Sequence, residues 1–181
     1  MKTQKIALIG GPSTGKTTLI KALKSKGYYC MEEISRQITL DAQEKGIDQL
    51  FLEDPLLFSK QLLLGRQTQF LEADSINDKL VFFDRGLPDV VAYLDYLNSS
   101  YPESFKTICR KHTYDVIFIL KPWEAIYEQD NERYETFEQA LIINNFLIHS
   151  YKEFGYSLVD IPFGTVQERI DFIINHLAEK K

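Results

Sequence analysis

Gly10-Gly11-Pro12-Ser13-Thr14-Gly15-Lys16-Thr17 is the stretch on which the reading of this chain turns. It stands directly after the apolar run Ile6-Ala7-Leu8-Ile9 and directly before Thr18-Leu19-Ile20-Lys21-Ala22-Leu23, whose apolar residues recur at helical spacing. Strand, glycine-rich turn and helix therefore follow one another. In that setting G-x-x-x-x-G-K-[ST] reads as a phosphate-binding P-loop, where glycines let successive backbone N–H groups turn inward around an anion. Gly11, Ser13, Thr14 and Gly15 would form the cradle, with Thr18 at the helix start adding the orphan donors and positive dipole end of a helix N-terminus. Lys16 would reach the β- and γ-phosphates of a nucleotide, and the Thr17 hydroxyl would ligate Mg²⁺.

Working outward, the next strong signal is Leu80-Val81-Phe82-Phe83-Asp84, a continuous apolar run that ends in an acid. Such runs mark parallel strands buried on both faces. An aspartate at the carboxyl end of a strand beside the P-loop strand is a second place for Mg²⁺, so Asp84 joins Thr17 as a candidate metal ligand. Arg85 follows at once and would clamp phosphate oxygens, unless it merely pairs with Asp84. Tyr28-Tyr29-Cys30-Met31 reads as an earlier strand that delivers Glu32-Glu33 to its carboxyl end, where ligands of open α/β sheets bind. A helix from Glu33 would put Glu33 and Arg36 one turn apart, as substrate-binding residues or as a surface pair.

The rest of the chain alternates strand and helix. Residues 46–55 are the least regular segment, ending in Glu53-Asp54-Pro55 as a helix start. Leu57, Leu64 and Leu71, with Leu63 and Phe70 beside them, mark an amphipathic helix over 56–74, with Gln61, Arg66, Gln67 and Gln69 on its polar side, either as a solvated face or with one or two of them lining a substrate cleft. Helices open at Pro88 and Pro102, and a fourth strand covers 114–120. The polar segment 121–135, from Lys121-Pro122-Trp123 through Arg133, is either a lid or a solvated loop. Thr136 and Gln139 then form a capping box for the next helix. A fifth strand at 157–161 leads through Gly164 to a last helix, capped by Thr165 and Glu168, with Val166, Ile170, Ile173 and Leu177 as its inner stripe. The expectation is α/β: a three-layer P-loop NTPase fold in one domain over 1–181, with a parallel five-stranded sheet, helices on both faces and a short lid.

Bulk properties narrow the classes. Apolar content of 44% and charged content of 26% are ordinary for a globular domain. A net charge of −5 gives no general field for nucleic acid or a membrane surface. Cys30 and Cys109 lack metal or redox spacing, no targeting pattern is visible, and no run is long enough to span a bilayer, so the expected setting is cytoplasmic. Ile119-Leu120-Lys121-Pro122 is no N-K-x-D guanine reader, which argues against a GTPase.

These motifs together resemble the P-loop kinase-like family, labelled AAA-domain ATPases, that includes the ribosylnicotinamide kinase domain of the bifunctional protein NadR. The resemblance rests on residues 10–17, Glu33-Ile34-Ser35-Arg36, Phe82-Phe83-Asp84, Pro122-Trp123 and Gly164-Thr165-Val166. The chain is similar, more distantly, to deoxyribonucleoside and nucleoside-monophosphate kinases through Asp84-Arg85. The resemblance implies ATP and Mg²⁺ as cofactors and phosphoryl transfer to a nucleoside-like or other small hydroxyl acceptor, nicotinamide riboside among the candidates. It implies catalytic roles for Lys16, Glu33, Asp84, Arg85 and Arg133, and a purine resting against Gly164 and Val166. A regulatory ATP-binding module or slow ATPase with a protein partner is the competing expectation. The sequence is silent on oligomeric state.

Overall fold

Successive side chains of a β-strand point to opposite faces, so a strand that is apolar at every position needs cover on both sides. The computed structural model, which describes residues 3–48, 50–127 and 135–179, meets that need. Strands β1 (Gln4–Ile9), β2 (Tyr29–Met31), β3 (Leu80–Asp84), β4 (Val116–Ile119) and β5 (Leu158–Asp160) form one sheet in the order β2-β3-β1-β4-β5, all pairs parallel. Ala7, Ile9, Val81, Phe83, Ile117 and Ile119 enter the core on one face. Ile6, Leu8, Phe82, Val116 and Phe118 enter the core on the other. At roughly 1.5–3 kcal/mol for each large apolar side chain fully buried, this double burial selects β1, β3 and β4 as the central strands.

The helices in chain order are α1 (Lys16–Ser25), α2 (Ser35–Gln43), α3 (Leu50–Glu53), α4 (Pro55–Glu72), α5 (Pro88–Tyr96), α6 (Ser104–Lys111), α7 (Phe137–Glu153) and α8 (Val166–Glu179). α1 and α8 cover the second face through Leu19, Leu23, Ile170 and Ile173. α4, α5, α6 and α7 cover the first through Leu63, Phe70, Val91, Leu94, Phe105 and Tyr151. The three-layer α/β arrangement is the one expected. Among the described residues no helix is long and apolar enough to cross a membrane.

Three local expectations change. Residues 46–55 include the short helix α3 rather than only irregular chain. On α4 the leucines at seven-residue spacing, Leu57, Leu64 and Leu71, are exposed, while Ser59, Leu62, Leu63, Arg66 and Phe70 turn inward. The buried set follows the 3.6-residue period around a face displaced from those leucines. On α8 Val166 is exposed, and the inner stripe begins instead at Arg169.

Candidate active site

The sheet order places three functional segments at the carboxyl ends of adjacent strands. β1 runs into the P-loop, β3 beside it ends at Asp84, and β2 beyond it ends just before Glu33. A parallel sheet gathers these ends on one edge, which is where ligands bind in such folds.

In the P-loop the Lys16 ammonium folds back onto the loop, donating to the carbonyls of Gly10 at 2.8 Å and Gly11 at 2.6 Å and to Thr14 Oγ1 at 3.2 Å. Burial, then repulsion from Arg85, lowers its pKa to about 7 against the opposing pull of Asp84, Asp89 and Glu33. Thr17 and Thr18 are exposed at the start of α1, open to the site. Gly15 has φ +86, a conformation that L side chains rarely adopt, and this lets the loop close onto α1.

At the end of β3, Asp84 is 7% exposed, and burial raises its carboxyl above the ordinary aspartate range against the pull of Lys16 and Arg85. Arg85 does not take Asp84 as its ion-pair partner. Its φ of +73 swings the side chain toward Glu33, with Nε 2.6 Å from Glu33 Oε2, and toward Asp89, with Nη1 3.3 Å from Oδ1. Nη1 also donates to the Gly10 carbonyl at 3.2 Å, which ties this arginine to the P-loop. Asp89, 1% exposed, accepts from the Gly86 amide at 3.0 Å and from the Tyr151 hydroxyl at 2.5 Å. A Cβ on Gly86 would run into that hydroxyl, so only glycine admits this arrangement.

Glu33 itself stands before α2, not within it. Its Oε1 accepts from the amides of Ile34 at 3.0 Å and Ser35 at 3.2 Å, a cap built from its own carboxylate. Arg66 Nη2 completes the shell at 3.0 and 3.1 Å from the two carboxylate oxygens. Burial alone would raise the pKa of Glu33, but Arg66 and Arg85 outweigh it and bring it to about 2. Gly65, just before Arg66, faces Ile34 Cδ1, so α4 passes close to the Glu33 turn at this point. The expected Glu33 and Arg36 pairing on one helix is thus replaced by Arg66 and Arg85, and Arg36 lies exposed on α2.

On the other side of the P-loop, Trp123 stacks on Phe163 with ring centroids 4.9 Å apart and planes 21° from parallel. This joins the chain after β4 to the Phe163-Gly164-Thr165 loop after β5. Thr165 and Glu168 form the expected capping box, with the Thr165 amide donating to Glu168 Oε2 at 2.8 Å and the Glu168 amide to Thr165 Oγ1 at 3.3 Å. One turn into α8, Arg169 is 4% exposed and donates from Nη2 to the Thr14 carbonyl at 3.2 Å. Arg133, expected on a lid, lies outside the described residues.

The residues that sequence reading missed are Asp89, Tyr151 and Arg169, while Arg66 was named only among four polar residues of its helix. Arg66 and Arg169 had a signal, a lone arginine at the register of a buried helical stripe. Asp89 and Tyr151 look ordinary in sequence and acquire meaning only from each other.

A family model described as AAA domain matches residues 5–169. No curated protein matches the chain in sequence. Among solved structures, the chain resembles the NadR protein in complex with NR at a TM-score of 0.74 and 20% identity, over 98% of this chain and 50% of that one. It resembles deoxyadenosine kinase from M. mycoides with dCMP and dCDP bound at 0.69 and 18%, over 97% and 100%. It resembles thymidylate kinase from Candida albicans at 0.69 and 14%, over 99% and 92%. At such identities the likeness establishes the three-layer fold of the P-loop kinases. With the family match running from β1 into α8 and the P-loop at its head, the chain belongs to the AAA-domain family of P-loop proteins.

Proposed function

We propose that this protein is an ATP- and Mg²⁺-dependent phosphotransferase acting on a nucleoside-like or other small hydroxyl acceptor. The observation that carries the reading is the Glu33 carboxylate, fixed between Arg66 and Arg85 at the sheet edge and near enough to the P-loop to act on the Lys16 ammonium. An ATP-binding loop needs no such carboxylate. A kinase does, because the acceptor hydroxyl must be aimed at the γ-phosphate and its proton must have somewhere to go.

In this reading the P-loop amides and Lys16 hold the phosphates, Gly164 and Val166 border the purine, and Arg85 moves from Glu33 to the transferring group. That move frees one acceptor position on Glu33 Oε2, beside the one Arg66 keeps, for the acceptor hydroxyl. Glu33 has its oxygens occupied by Ile34, Ser35, Arg66 and Arg85, so an acceptor bound before ATP would meet a saturated carboxylate. Thr17 and Asp84 fit Mg²⁺, which takes one or two hard oxygen ligands from the protein and the rest from phosphates and water. Held there, Mg²⁺ would supply positive charge to offset that of the phosphates. Arg133 belongs to the proposal as a further source of positive charge.

A competing reading, a regulatory ATP-binding module with a protein partner, draws on the Glu33–Arg85 pair itself, since a switch tolerates these groups being paired off. The test is ADP release from ATP and Mg²⁺ with and without nucleosides, nicotinamide riboside and nucleoside monophosphates. Stimulation by one acceptor class of about tenfold or more, near 1.4 kcal/mol of barrier, is the outcome expected of a kinase. A slow rate indifferent to the whole panel selects the module.

A further inference from the structure

Arg169 is a buried cation that has no counter-ion among the described residues. Its side chain leaves the first turn of α8 and lies against the P-loop, where Nη2 donates to the Thr14 carbonyl at 3.2 Å and Nη1 comes within 3.0 Å of where a Cβ on Gly15 would stand. Nε is buried and has no hydrogen-bond partner. Among the described residues no carboxylate pairs with this guanidinium, and burial alone lowers its pKa. Two costs coincide here. Removing a guanidinium from water costs several kcal/mol, on the order of the penalty for any buried ion, unless opposite charge compensates. A cation in the first turn of a helix also opposes the helix dipole, which favours an anion at that end.

Both costs vanish if an anion joins the site. A place for one adjoins it, because the loop that Arg169 touches at Thr14 and Gly15 is the P-loop, which also carries Lys16 and the exposed Thr17 and Thr18. We propose that Arg169 is a nucleotide-binding residue, a buried guanidinium whose missing counter-charge is the phosphate chain of the nucleotide in the P-loop. This rests on the nucleotide-binding reading above and adds to it a contribution from the last helix. It also gives the Thr14 carbonyl a purpose as the tether that keeps the guanidinium aimed while the loop is empty.

The inference makes stability and affinity move in opposite directions. Arg169→Met removes an uncompensated buried charge, so the nucleotide-free variant should melt at the wild-type temperature or above it. Its ATP and ADP dissociation constants should rise by roughly tenfold or more, as for loss of a charge-assisted contact, while adenosine binding stays unchanged. Trp123, the only tryptophan in the chain, is stacked beside the candidate purine loop, and its fluorescence reports the titrations. Arg169→Lys keeps the charge without the fork and should recover most of the phosphate-dependent affinity.

An Arg169→Met variant that binds ATP as tightly as wild type overturns the inference, and so does an equal loss for ATP and adenosine. A nucleotide-free variant that melts well below wild type makes Arg169 architectural and also overturns it. A Met variant that does not fold counts with one that melts well below wild type and overturns the inference as well. Wild-type protein that binds no ATP at all would sink the nucleotide-binding reading instead, so the two failures are distinguishable.

Discussion

On the β2–β3 flank of the P-loop, Arg66 and Arg85 share the Glu33 carboxylate and Arg85 also reaches Asp89, whereas on the β4–β5 flank Arg169, as buried as Arg66, has no carboxylate beside it among the described residues. The same residue type leaves water in both places. On the first flank it is offset within the protein, so Glu33 and its arginines are arranged before any ligand arrives. On the second flank, and at Lys16 between them, positive charge stands without full compensation. The contrast separates a preorganised half, which needs geometry, from a half that needs an anion. Substitutions can break or sharpen that division.

The largest effect should follow Glu33→Gln. Two guanidiniums lose their charge partner, and removal of one member of a buried ion network typically costs about 3–5 kcal/mol. The pH dependence gives an independent figure. The folded pKa of Glu33, about 2, lies below its ordinary 4.5, so its contribution is fully present above pH 4.5 and is lost as pH falls toward 2. That difference corresponds to about 3 kcal/mol. Urea unfolding of wild type and variant at pH 7, 4 and 2.5 should show the gap closing across that window. Acceptor phosphorylation should fall by about 10²–10⁴ with ATP binding largely kept, as for loss of a proton acceptor. Unchanged transfer would remove Glu33 from the mechanism, and a gap that persists at pH 2.5 would refute the ion-pair account.

Asp89→Asn should come next, near 2 kcal/mol of stability, because the amide keeps the volume but offers N–H where the Gly86 amide or the Tyr151 hydroxyl needs an acceptor. Arg85 then loses one of the two anions that aim it. Denaturant titration checks the stability, and the Michaelis constant for the acceptor should rise while ATP affinity holds. If ATP affinity falls instead, Arg85 serves the nucleotide half already in the free enzyme, and the two flanks are not separate.

Much of this was legible in sequence, for identifiable reasons. Strands buried on both faces leave continuous apolar runs, so β1, β3 and β4 could be located, and the P-loop carries glycines at fixed offsets that constrain its backbone. Asp84, Arg85 and Glu33 were legible because the carboxyl end of a strand is a privileged position. Their partners were not. Which charge meets which depends on how α4 packs beside the Glu33 turn, where Gly65 faces Ile34, and on the φ of +73 at Arg85. Arg36 is the nearer arginine to Glu33 in sequence, yet Arg66, thirty-three residues away, makes the contact. Local spacing describes a helix surface, and Glu33 is not on one.

A smaller effect is expected from Thr165→Ala. It removes the hydroxyl that accepts the Glu168 amide at the start of α8 and accordingly costs about 1 kcal/mol. The damage falls on the nucleotide flank but on backbone rather than charge, so melting temperature should drop with little change in the ratio of ATP to adenosine affinity. A large change in that ratio would mean that the α8 start itself discriminates phosphate, which would take part of that role from Arg169.

Leu64→Gln should have the smallest effect of all. Leu64 is 47% exposed on α4, while its neighbour Leu63 is 1% exposed in the core beneath it. The seven-residue leucine spacing suggests that Leu64 drives folding, and the burial pattern places that role one residue earlier. Exchange of a half-exposed leucine for a good helix former should leave stability within about 0.5 kcal/mol. The measurement is urea unfolding at protein concentrations differing by a hundredfold. A loss of more than about 1 kcal/mol at the lower concentration would mean that α4 is rotated in solution, with Leu64 turned inward. Arg66, two residues on, would then turn away from Glu33, and the preorganised flank would lose the arginine that distinguishes it from the nucleotide side.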